Sequence, residues 1–211
     1  MSGLFITFEG PECAGKTTQI KLLSGALSSR GRDVLCTREP GGTPLAEAMR
    51  GLLLNKGDEP VTVESELLLF SAGRAQHVAH LIRPHLQRGG IVICDRFIDS
   101  TTAYQGYARG IPLDFIESLN TFAIGETVPD ITFLLDLPLT ETRRRLALRN
   151  GVGGEDRMEA ENNSFHQKVR DGFLQIAVKN PQRFRVVDAC QSIEVIADYI
   201  LTETENAIGR V

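Results

Sequence analysis

One short motif constrains the fold of this chain more than any other feature. Residues 10–18 read GPECAGKTT and fit the pattern G-x-x-x-x-G-K-[ST]. They follow an apolar run and precede a stretch of helical period. In this setting glycine allows a tight turn whose backbone N–H groups face inward, beside the positive N-terminal end of a helix. The motif therefore predicts a phosphate-binding loop in which Lys16 reaches the β- and γ-phosphates of a nucleotide and the Thr17 hydroxyl binds Mg²⁺.

Short apolar runs alternate with longer segments of helical period. The predicted strands are Leu4–Phe8, Val34–Thr37, Ile91–Cys94, Ile131–Leu135 and Arg185–Val187. Their near-continuous apolar character indicates strands covered on both faces, as in parallel sheets. The predicted helices are Lys16–Arg30, Pro44–Leu54, Glu64–Arg88, Leu113–Gly125, Thr140–Arg149, Glu159–Lys179 and Ser192–Ile208. This alternation predicts an α/β fold with a parallel sheet and right-handed crossovers, in which ligands bind at the carboxyl ends of the strands.

Length and composition are those of one ordinary globular domain. The chain has 211 residues without an internal repeat or linker, is 42% hydrophobic and 24% charged, and carries a formal charge of −4. It is therefore expected to form a single domain over residues 1–211, without general attraction to nucleic acid or anionic membrane. The cysteines are scattered, without a C-x-x-C pair, and three lie in or beside apolar runs. Buried free thiols, no leader sequence and no apolar run of membrane-spanning length predict a cytoplasmic protein.

The phosphate loop carries an acid. It has no Arg or Lys before Lys16 and presents Glu12 instead. A carboxylate beside a triphosphate is unfavourable unless it faces another group, and a sugar hydroxyl donor would suit it. The alternative is a solvated loop glutamate.

Two further segments bear on which class of P-loop protein this is. Asn55–Asp58 fits the N-K-x-D pattern of guanine recognition, but it lies early in the chain and no D-x-x-G segment precedes it, so a helix end and turn is favoured. The third predicted strand is followed by Asp95 and Arg96. Asp95 can hold Mg²⁺ or its water, and Arg96 can grip a second phosphate with two N–H groups. A structural salt bridge is the alternative for Arg96.

Over nearly its whole length the chain resembles a thymidylate kinase of the bacterial kind. The resemblance is carried by Phe8–Thr18, Arg38–Thr43, Leu69–Arg74, Asp95–Gly106, Leu135–Pro138 and Val187–Ala189. It implies the nucleoside monophosphate kinase version of the P-loop NTPase fold, with a five-stranded parallel sheet and a mobile lid at roughly 143–160. It also implies transfer of the γ-phosphate of Mg-ATP to dTMP, giving dTDP and ADP for dTTP synthesis, and a homodimer.

The resemblance implies a pocket for the acceptor base. Phe70 and Arg74 are four residues apart on a predicted helix and share one face. An aromatic ring can stack on a pyrimidine, and a guanidinium can donate to its O4 carbonyl. Without the resemblance, Phe70 could equally be a core residue. Ser100 and Thr101 could hydrogen-bond the edge of the base.

The resemblance also assigns the rest of the acceptor site. Tyr104 lies where the family excludes a 2′-hydroxyl, Gln105 near the nucleoside, and Glu12 near the 3′-hydroxyl. Arg38 is a candidate ligand for the acceptor phosphate, and Glu39–Pro40 is a candidate for a cis peptide bond. The predicted acceptor site comprises Glu12, Arg38, Pro40, Phe70, Arg74, Arg96, Ser100, Thr101, Tyr104 and Gln105.

The catalytic cation is expected from the lid. Some thymidylate kinases carry a catalytic arginine in the P-loop, where this chain has Cys13. Arginines flank the glycine-rich stretch 150–154, and glycines can act as a hinge. Arg149 and Arg157 are the predicted transition-state contacts, and Arg145 could contact the nucleotide or support the lid. A solvated cationic helix end is the alternative for each arginine.

The predicted catalytic set is Lys16, Asp95, Arg96, Arg149 and Arg157, with Thr17 and Asp95 on Mg²⁺. The predicted ATP site comprises Gly10, Pro11, Glu12, Cys13, Ala14, Gly15, Lys16, Thr17, Thr18, Arg145, Asp188 and Ala189. Two other functions stay open at this level. One is a kinase for another small acceptor, such as a deoxynucleoside or a different pyrimidine monophosphate. The other is a nucleotide-dependent switch that binds without transferring phosphate.

Overall fold

A computed structural model describes residues 3–54, 59–149 and 157–209. The strands are β1 (Leu4–Glu9), β2 (Val34–Arg38), β3 (Ile91–Asp95), β4 (Ile131–Asp136) and β5 (Phe184–Asp188). They form a five-stranded sheet of order β2-β3-β1-β4-β5, and every pairing is parallel. The α/β class and the five predicted strands are confirmed.

The helices lie between the strands and after β5. They are α1 (Lys16–Ser28), α2 (Pro44–Leu54), α3 (Val63–His77), α4 (Arg83–Gln87), α5 (Ile98–Thr101), α6 (Leu113–Ile124), α7 (Leu139–Arg149), α8 (Asn163–Lys179) and α9 (Ile193–Ile208). Two stretches continue as π-helix, Val78–Ile82 between α3 and α4, and Thr102–Ala108 after α5. No helix in the described part of the chain is both long and apolar enough to span a membrane.

The central strands are buried on both faces, as their composition predicted. Within β1, Phe5 packs into a cluster with Val92 and Ile82, whereas Ile6 packs into a second cluster with Ile93 on the face of α1 and α9. Alternate residues of a strand point to opposite faces, so two clusters from one strand mean two covered faces.

The thiols depart from the expectation of burial. Cys94, in the central strand β3, is fully buried, and Cys13 is partly buried. Cys36 and Cys190 are exposed. Cys36 lies on β2 and Cys190 follows β5, and these are the two edge strands of the sheet, where neighbouring elements cover less of the surface.

Three helix predictions need correction. The single helix predicted at Glu64–Arg88 is interrupted by a π-helical turn, and α8 begins at Asn163 rather than at residue 159. The helical stretch from Ile98 to Ala108 was not predicted. Its N-cap residue, Phe97, makes no side-chain capping hydrogen bond, so the sequence there shows no helix start signal. The turn predicted at Asn55–Asp58 lies outside the described residues.

Candidate active site

A cavity of about 460 Å³ opens at the carboxyl ends of β1, β2 and β3. The structure brings together most of the predicted site residues there: Glu12, Cys13, Ala14, Gly15, Lys16, Thr17, Thr18, Arg38, Pro40, Phe70, Arg74, Asp95, Arg96, Ser100, Thr101, Tyr104 and Gln105. Six further residues line it that were not assigned to the site from sequence: Glu39, Arg50, Leu54, Phe97, Met158 and Glu159. The phosphate loop and the predicted base pocket therefore share one continuous space.

The phosphate loop has the backbone that its glycines permit. Gly10 and Gly15 have φ angles of 130° and 93°, in the left-handed region that glycine tolerates. A Cβ on Gly10 would lie 2.3 Å from the Leu135 carbonyl oxygen, so the loop leaves β1 pressed against β4. Lys16 closes the loop: its Nζ donates to the carbonyl oxygens of Pro11 at 2.8 Å and Gly10 at 3.1 Å. Burial, and then the charge of Arg96, lowers the pKa of Lys16.

Thr17 and Asp95 face each other across the loop. The Thr17 hydroxyl donates to Asp95 Oδ2 at 3.4 Å, longer than an ordinary O–H···O hydrogen bond. A hydroxyl and a carboxylate are hard oxygen donors, the kind that Mg²⁺ takes, and Mg²⁺ bound with substrate phosphates needs only one or two protein carboxylates. The donor set therefore fits the predicted ion.

Arg96 lies between the loop and the deeper pocket. One nitrogen donates to Glu12 Oε1 at 2.5 Å and another to Ser100 Oγ at 3.2 Å, and the guanidinium lies 5.3 Å from the centre of the Tyr104 ring. Burial alone would lower the pKa of Arg96, but the surrounding groups Glu12, Tyr104, Asp95 and Glu9 together outweigh it, and the pKa is raised. Arg96 is thus a fixed cation at the centre of the cavity. Glu12 is held by that cation rather than freely solvated.

Glu9 is a buried acid that sequence reasoning missed. Its Oε1 accepts from the backbone N–H groups of Phe97 at 2.8 Å and Ser100 at 3.2 Å, and its Oε2 accepts from Ser100 Oγ at 2.6 Å. Glu9 thereby caps α5 from a neighbouring strand and holds the turn that carries Arg96. Burial, and then Asp99, raises the pKa of Glu9 to about 7. An acid within an otherwise apolar strand was the available signal.

The predicted base-reading residues lie on the far side of Arg96. Phe70 is half-buried and lines the cavity, so the alternative that it is a fully buried core residue does not describe it. Arg74 is 2% exposed and donates to Thr101 Oγ1 at 2.9 Å, so Thr101 supports Arg74 as well as lining the cavity. The Glu39–Pro40 peptide bond is cis.

The two residues predicted to lie near the sugar, Tyr104 and Gln105, are held by packing and by a second buried acid. The ring of Tyr104 lies edge-on to two phenylalanine rings, with its centroid 6.0 Å from that of Phe165 and 6.2 Å from that of Phe173. Burial raises the pKa of the Tyr104 hydroxyl. Gln105, 1% exposed, donates to Glu66 Oε1 at 2.7 Å. Both side chains are therefore fixed in direction at the cavity wall.

The arginines predicted to act on phosphate are placed differently from one another. Arg38 makes two 3.0 Å contacts with the Glu47 carboxylate. Arg145 reaches the P-loop, donating to the carbonyl oxygens of Ala189 at 3.0 Å and Cys13 at 3.4 Å. It thereby joins the loop to Ala189, another member of the predicted ATP site.

Of the two predicted transition-state arginines, Arg157 is the one whose side chain the structure describes, and its partners lie away from the phosphate loop. Arg157 donates to the Leu53 carbonyl oxygen at 2.8 Å and pairs with Glu66 at 2.7 Å, on the α2–α3 side. The side chain of Arg149, at the end of α7, lies outside the described residues, as do residues 150–156. Both assignments stay predictions.

The arrangement defines a class of protein. A phosphate loop that opens onto a second, buried pocket with its own cation can hold two anionic substrates side by side. That is the plan of a P-loop nucleoside monophosphate kinase.

Comparison with known proteins defines the group within that class. The family model described as thymidylate kinase matches residues 8–200. A thymidylate kinase from Syntrophotalea carbinolica is 47% identical over 97% of this chain and 96% of its own, and one from Ectopseudomonas mendocina is 50% identical over 94% and 93%. The solved thymidylate kinase from Ehrlichia chaffeensis superposes with a TM-score of 0.77 at 39% identity, covering 97% of this chain and 99% of that one. The chain belongs to the thymidylate kinase family.

Proposed function

We propose that this chain transfers the γ-phosphate of ATP to dTMP, giving dTDP and ADP. The observation that carries the proposal is the single cavity lined at one end by the phosphate loop and at the other by Phe70, Arg74 and Tyr104. The donor phosphates belong at the loop, and the base of the acceptor belongs between Phe70 and Arg74. The acceptor phosphate then lies near Arg96, between the two ends.

In this proposal the protein supplies position and charge. Phosphoryl transfer needs the attacking and leaving oxygens in line and positive charge around the moving group, with little covalent chemistry from the enzyme. Lys16 would exchange its two carbonyl partners for phosphate oxygens, and Arg96 would draw the acceptor phosphate towards the donor. Mg²⁺, when held by Thr17 and Asp95, would neutralise charge on the donor phosphates.

The same geometry supports selection of the acceptor. Phe70 offers a ring face to a pyrimidine and Arg74 offers an N–H donor to O4, and in this proposal the packed ring of Tyr104 excludes a 2′-hydroxyl. Glu12 is near enough to the acceptor side to take a sugar hydroxyl, since it already contacts Arg96. Arg38, Ser100 and Gln105 complete the proposed acceptor contacts.

The lid arginines supply the remaining charge in this proposal. Arg145 already bridges the P-loop and Ala189, so we assign it and Asp188 to the nucleotide end of the site. Arg149 and Arg157 remain the proposed transition-state contacts. For Arg157 this requires leaving its partner Glu66 when both substrates are bound.

The working form is proposed to be a cytoplasmic homodimer. On α6, Phe115 and Phe122 are 53% and 87% exposed and lie seven residues apart, on one helix face, and Leu68 on the neighbouring α3 is 57% exposed. Large apolar side chains grouped on packed helices favour a partner surface. The exposed free thiols Cys36 and Cys190 suit a reducing compartment.

A coupled assay of ADP release tests the proposal. Mg-ATP is supplied with dTMP, dUMP, UMP, CMP, GMP, AMP or thymidine in turn, and we expect the highest kcat/KM with dTMP. Preferred turnover of another acceptor would keep the phosphate chemistry but overturn the substrate. Slow ATP hydrolysis without transfer to any acceptor would favour a nucleotide-dependent switch.

A further inference from the structure

A buried ionic network lies behind the base pocket. Glu39, at the end of β2, is 6% exposed and divides its carboxylate between two residues of α3. Its Oε2 accepts from Arg74 Nε at 2.8 Å, and its Oε1 lies 3.0 Å from His77 Nδ1. The other ring nitrogen of His77 lies 2.7 Å from Thr37 Oγ1, and His77 is fully buried. The network thus ties α3 to the second strand.

The network uses most of the donors of Arg74. A guanidinium has five N–H groups. Besides Nε, the two N–H groups of Nη1 have acceptors in Thr101 Oγ1 at 2.9 Å and Asn120 Oδ1 at 3.1 Å, and Nη2 donates to the Phe97 carbonyl oxygen at 3.0 Å. Within the part of the chain that the structure describes, one N–H, on Nη2, is left over. Arg74 also lines the cavity, and we infer that this remaining N–H is the donor that a ligand meets.

The turn after Glu39 closes over the network. Gly42 has a φ of 90°, and a Cβ there would lie 2.4 Å from His77 Nε2 and 2.8 Å from Thr37 Oγ1. The glycine therefore lets the chain pass directly over the imidazole. Glu39, His77 and Thr37 are thus covered by the chain at Gly42. Because Glu39 is held in place, it fixes the orientation of the Arg74 guanidinium.

We propose that Glu39 and His77 are positioning residues that aim the remaining N–H of Arg74 at the exocyclic oxygen of the acceptor base. This rests on the proposed function and adds how the base is distinguished. A single fixed donor pairs with the carbonyl at position 4 of thymine. It cannot pair with the amino group at the same position of cytosine, which leaves a buried donor unsatisfied. Selection between these bases therefore depends on residues that act through Arg74.

Dissociation constants for dTMP and dCMP, measured by titration calorimetry alongside kcat, test the proposal. Glu39→Ala frees the guanidinium to turn, so we expect the preference for dTMP over dCMP to fall at least about tenfold while kcat with saturating dTMP changes less than about threefold. Glu39→Gln should restore the preference, because its amide oxygen can accept from Arg74 and its amide nitrogen can donate to His77 Nδ1.

His85→Gln is the matched control for His77→Gln. His85 is also buried, but its ring contacts the Asp33 carbonyl oxygen and Arg88 beside the amino end of β2, whereas Glu39 follows the carboxyl end of that strand. We expect His77→Gln to weaken the preference for dTMP and His85→Gln to leave it unchanged. If Glu39→Ala does not fold, Glu39→Asp, which withdraws the carboxylate by one methylene, takes its place with the same expected loss of preference.

The proposal is overturned if a folded Glu39→Ala or Glu39→Asp variant keeps the wild-type ratio of the two dissociation constants. It is also overturned if both acceptors lose affinity equally, since that marks a purely structural role. Failure of the proposed function is a different result, in which the wild-type protein transfers no phosphate to dTMP.

Discussion

At the scale of single residues, the site contains the two non-glycine residues with left-handed backbones among those described. Cys13 has a φ of 57° and Arg96 a φ of 67°. Such conformations cost roughly 1–3 kcal/mol each and persist where surrounding contacts enforce them. For Arg96 those contacts are its own N–H to the Phe8 carbonyl oxygen at 2.9 Å and the Glu9 hydrogen bonds that hold the next residues. The backbone strain at Arg96 therefore lies at a residue whose side chain lines the cavity.

Arg96→Lys is expected to lower kcat/KM for dTMP by about 100-fold, mainly through KM. A lysine presents its three donors from one nitrogen, whereas the planar guanidinium spreads five N–H groups over Glu12, Ser100 and a phosphate with paired hydrogen bonds. Steady-state kinetics with varied dTMP measures the effect. Arg185→Lys, which changes a peripheral pair with Glu203, is the control and should leave both constants unchanged. An unaltered KM in Arg96→Lys would remove Arg96 from the acceptor site.

Glu9 makes stability depend on pH in the direction opposite to most acids. Folding raises its pKa from 4.5 to about 7, so between these values the folded protein holds a proton that the unfolded chain releases. The free energy of unfolding contributed by Glu9 therefore falls as pH rises through this window. Glu9→Gln cannot titrate, so its stability relative to wild type should increase by about 2–4 kcal/mol from pH 4.5 to 8.

Urea unfolding at several pH values measures this difference. Glu141→Gln is the control: hydrogen bonds from Arg144 and Arg145 lower the pKa of Glu141 to about 2, so above about pH 5.5 it is ionised in both states. The difference in free energy of unfolding between Glu141→Gln and wild type should therefore not change between about pH 5.5 and 8. Parallel stability curves for Glu9→Gln and wild type would contradict the assignment to Glu9.

At the scale of elements, the acceptor side depends on how closely α8 packs against the π-helical stretch Thr102–Ala108. Gly172 of α8 lies under Tyr107, and a Cβ there would meet Tyr107 Cβ at 2.8 Å and Cγ at 2.9 Å. The side chains of Tyr104 and Phe173 are packed at the same interface. The close approach lets α8 pack against the segment that carries Tyr104.

Gly172→Ala is therefore expected to destabilise the protein by about 1–3 kcal/mol, because the added methyl separates the two helices. Gly25→Ala is the opposite case, since a Cβ in the middle of α1 would meet no atom within 4 Å. There the substitution should stabilise by about 0.5–1 kcal/mol through better helix propensity. Denaturant unfolding of both variants measures the two changes. If both substitutions changed the free energy of unfolding equally and in the same direction, the contact between Gly172 and Tyr107 would not limit how closely the two helices pack.

At the scale of the whole molecule, the proposed dimer surface is the α3–α6 face, formed by the exposed side chains of Leu68, Phe115 and Phe122. Phe122→Asp places a charge at its most exposed ring. We expect the wild-type protein to have twice the chain mass in light scattering and the variant to have the mass of one chain. Val178→Asp, at an 80% exposed residue of α8, is the control and should stay dimeric. A monomeric wild-type protein would refute the dimer, and a dimeric Phe122→Asp would move the interface elsewhere.

Much of the architecture was predictable because it depends on local patterns. The apolar runs located all five strands, and the P-loop motif located the turn between β1 and α1. Phe70 and Arg74, four apart on a helix and predicted to share one face, both line the cavity. A strand or helix whose period and caps lie within its own segment can be read from that segment alone.

The sequence by itself determined the phosphate loop, the parallel sheet and the edge at which ligands collect. Only the tertiary structure decided how the charged residues pair. Glu9, on β1, caps the helix α5, which begins 89 residues later in the chain. Glu39 pairs with Arg74, and Arg157 pairs with Glu66. Such partners lie far apart along the chain and carry no local signal. They become neighbours only when the strand ends and helices pack together, where a buried charge is stable only beside a partner.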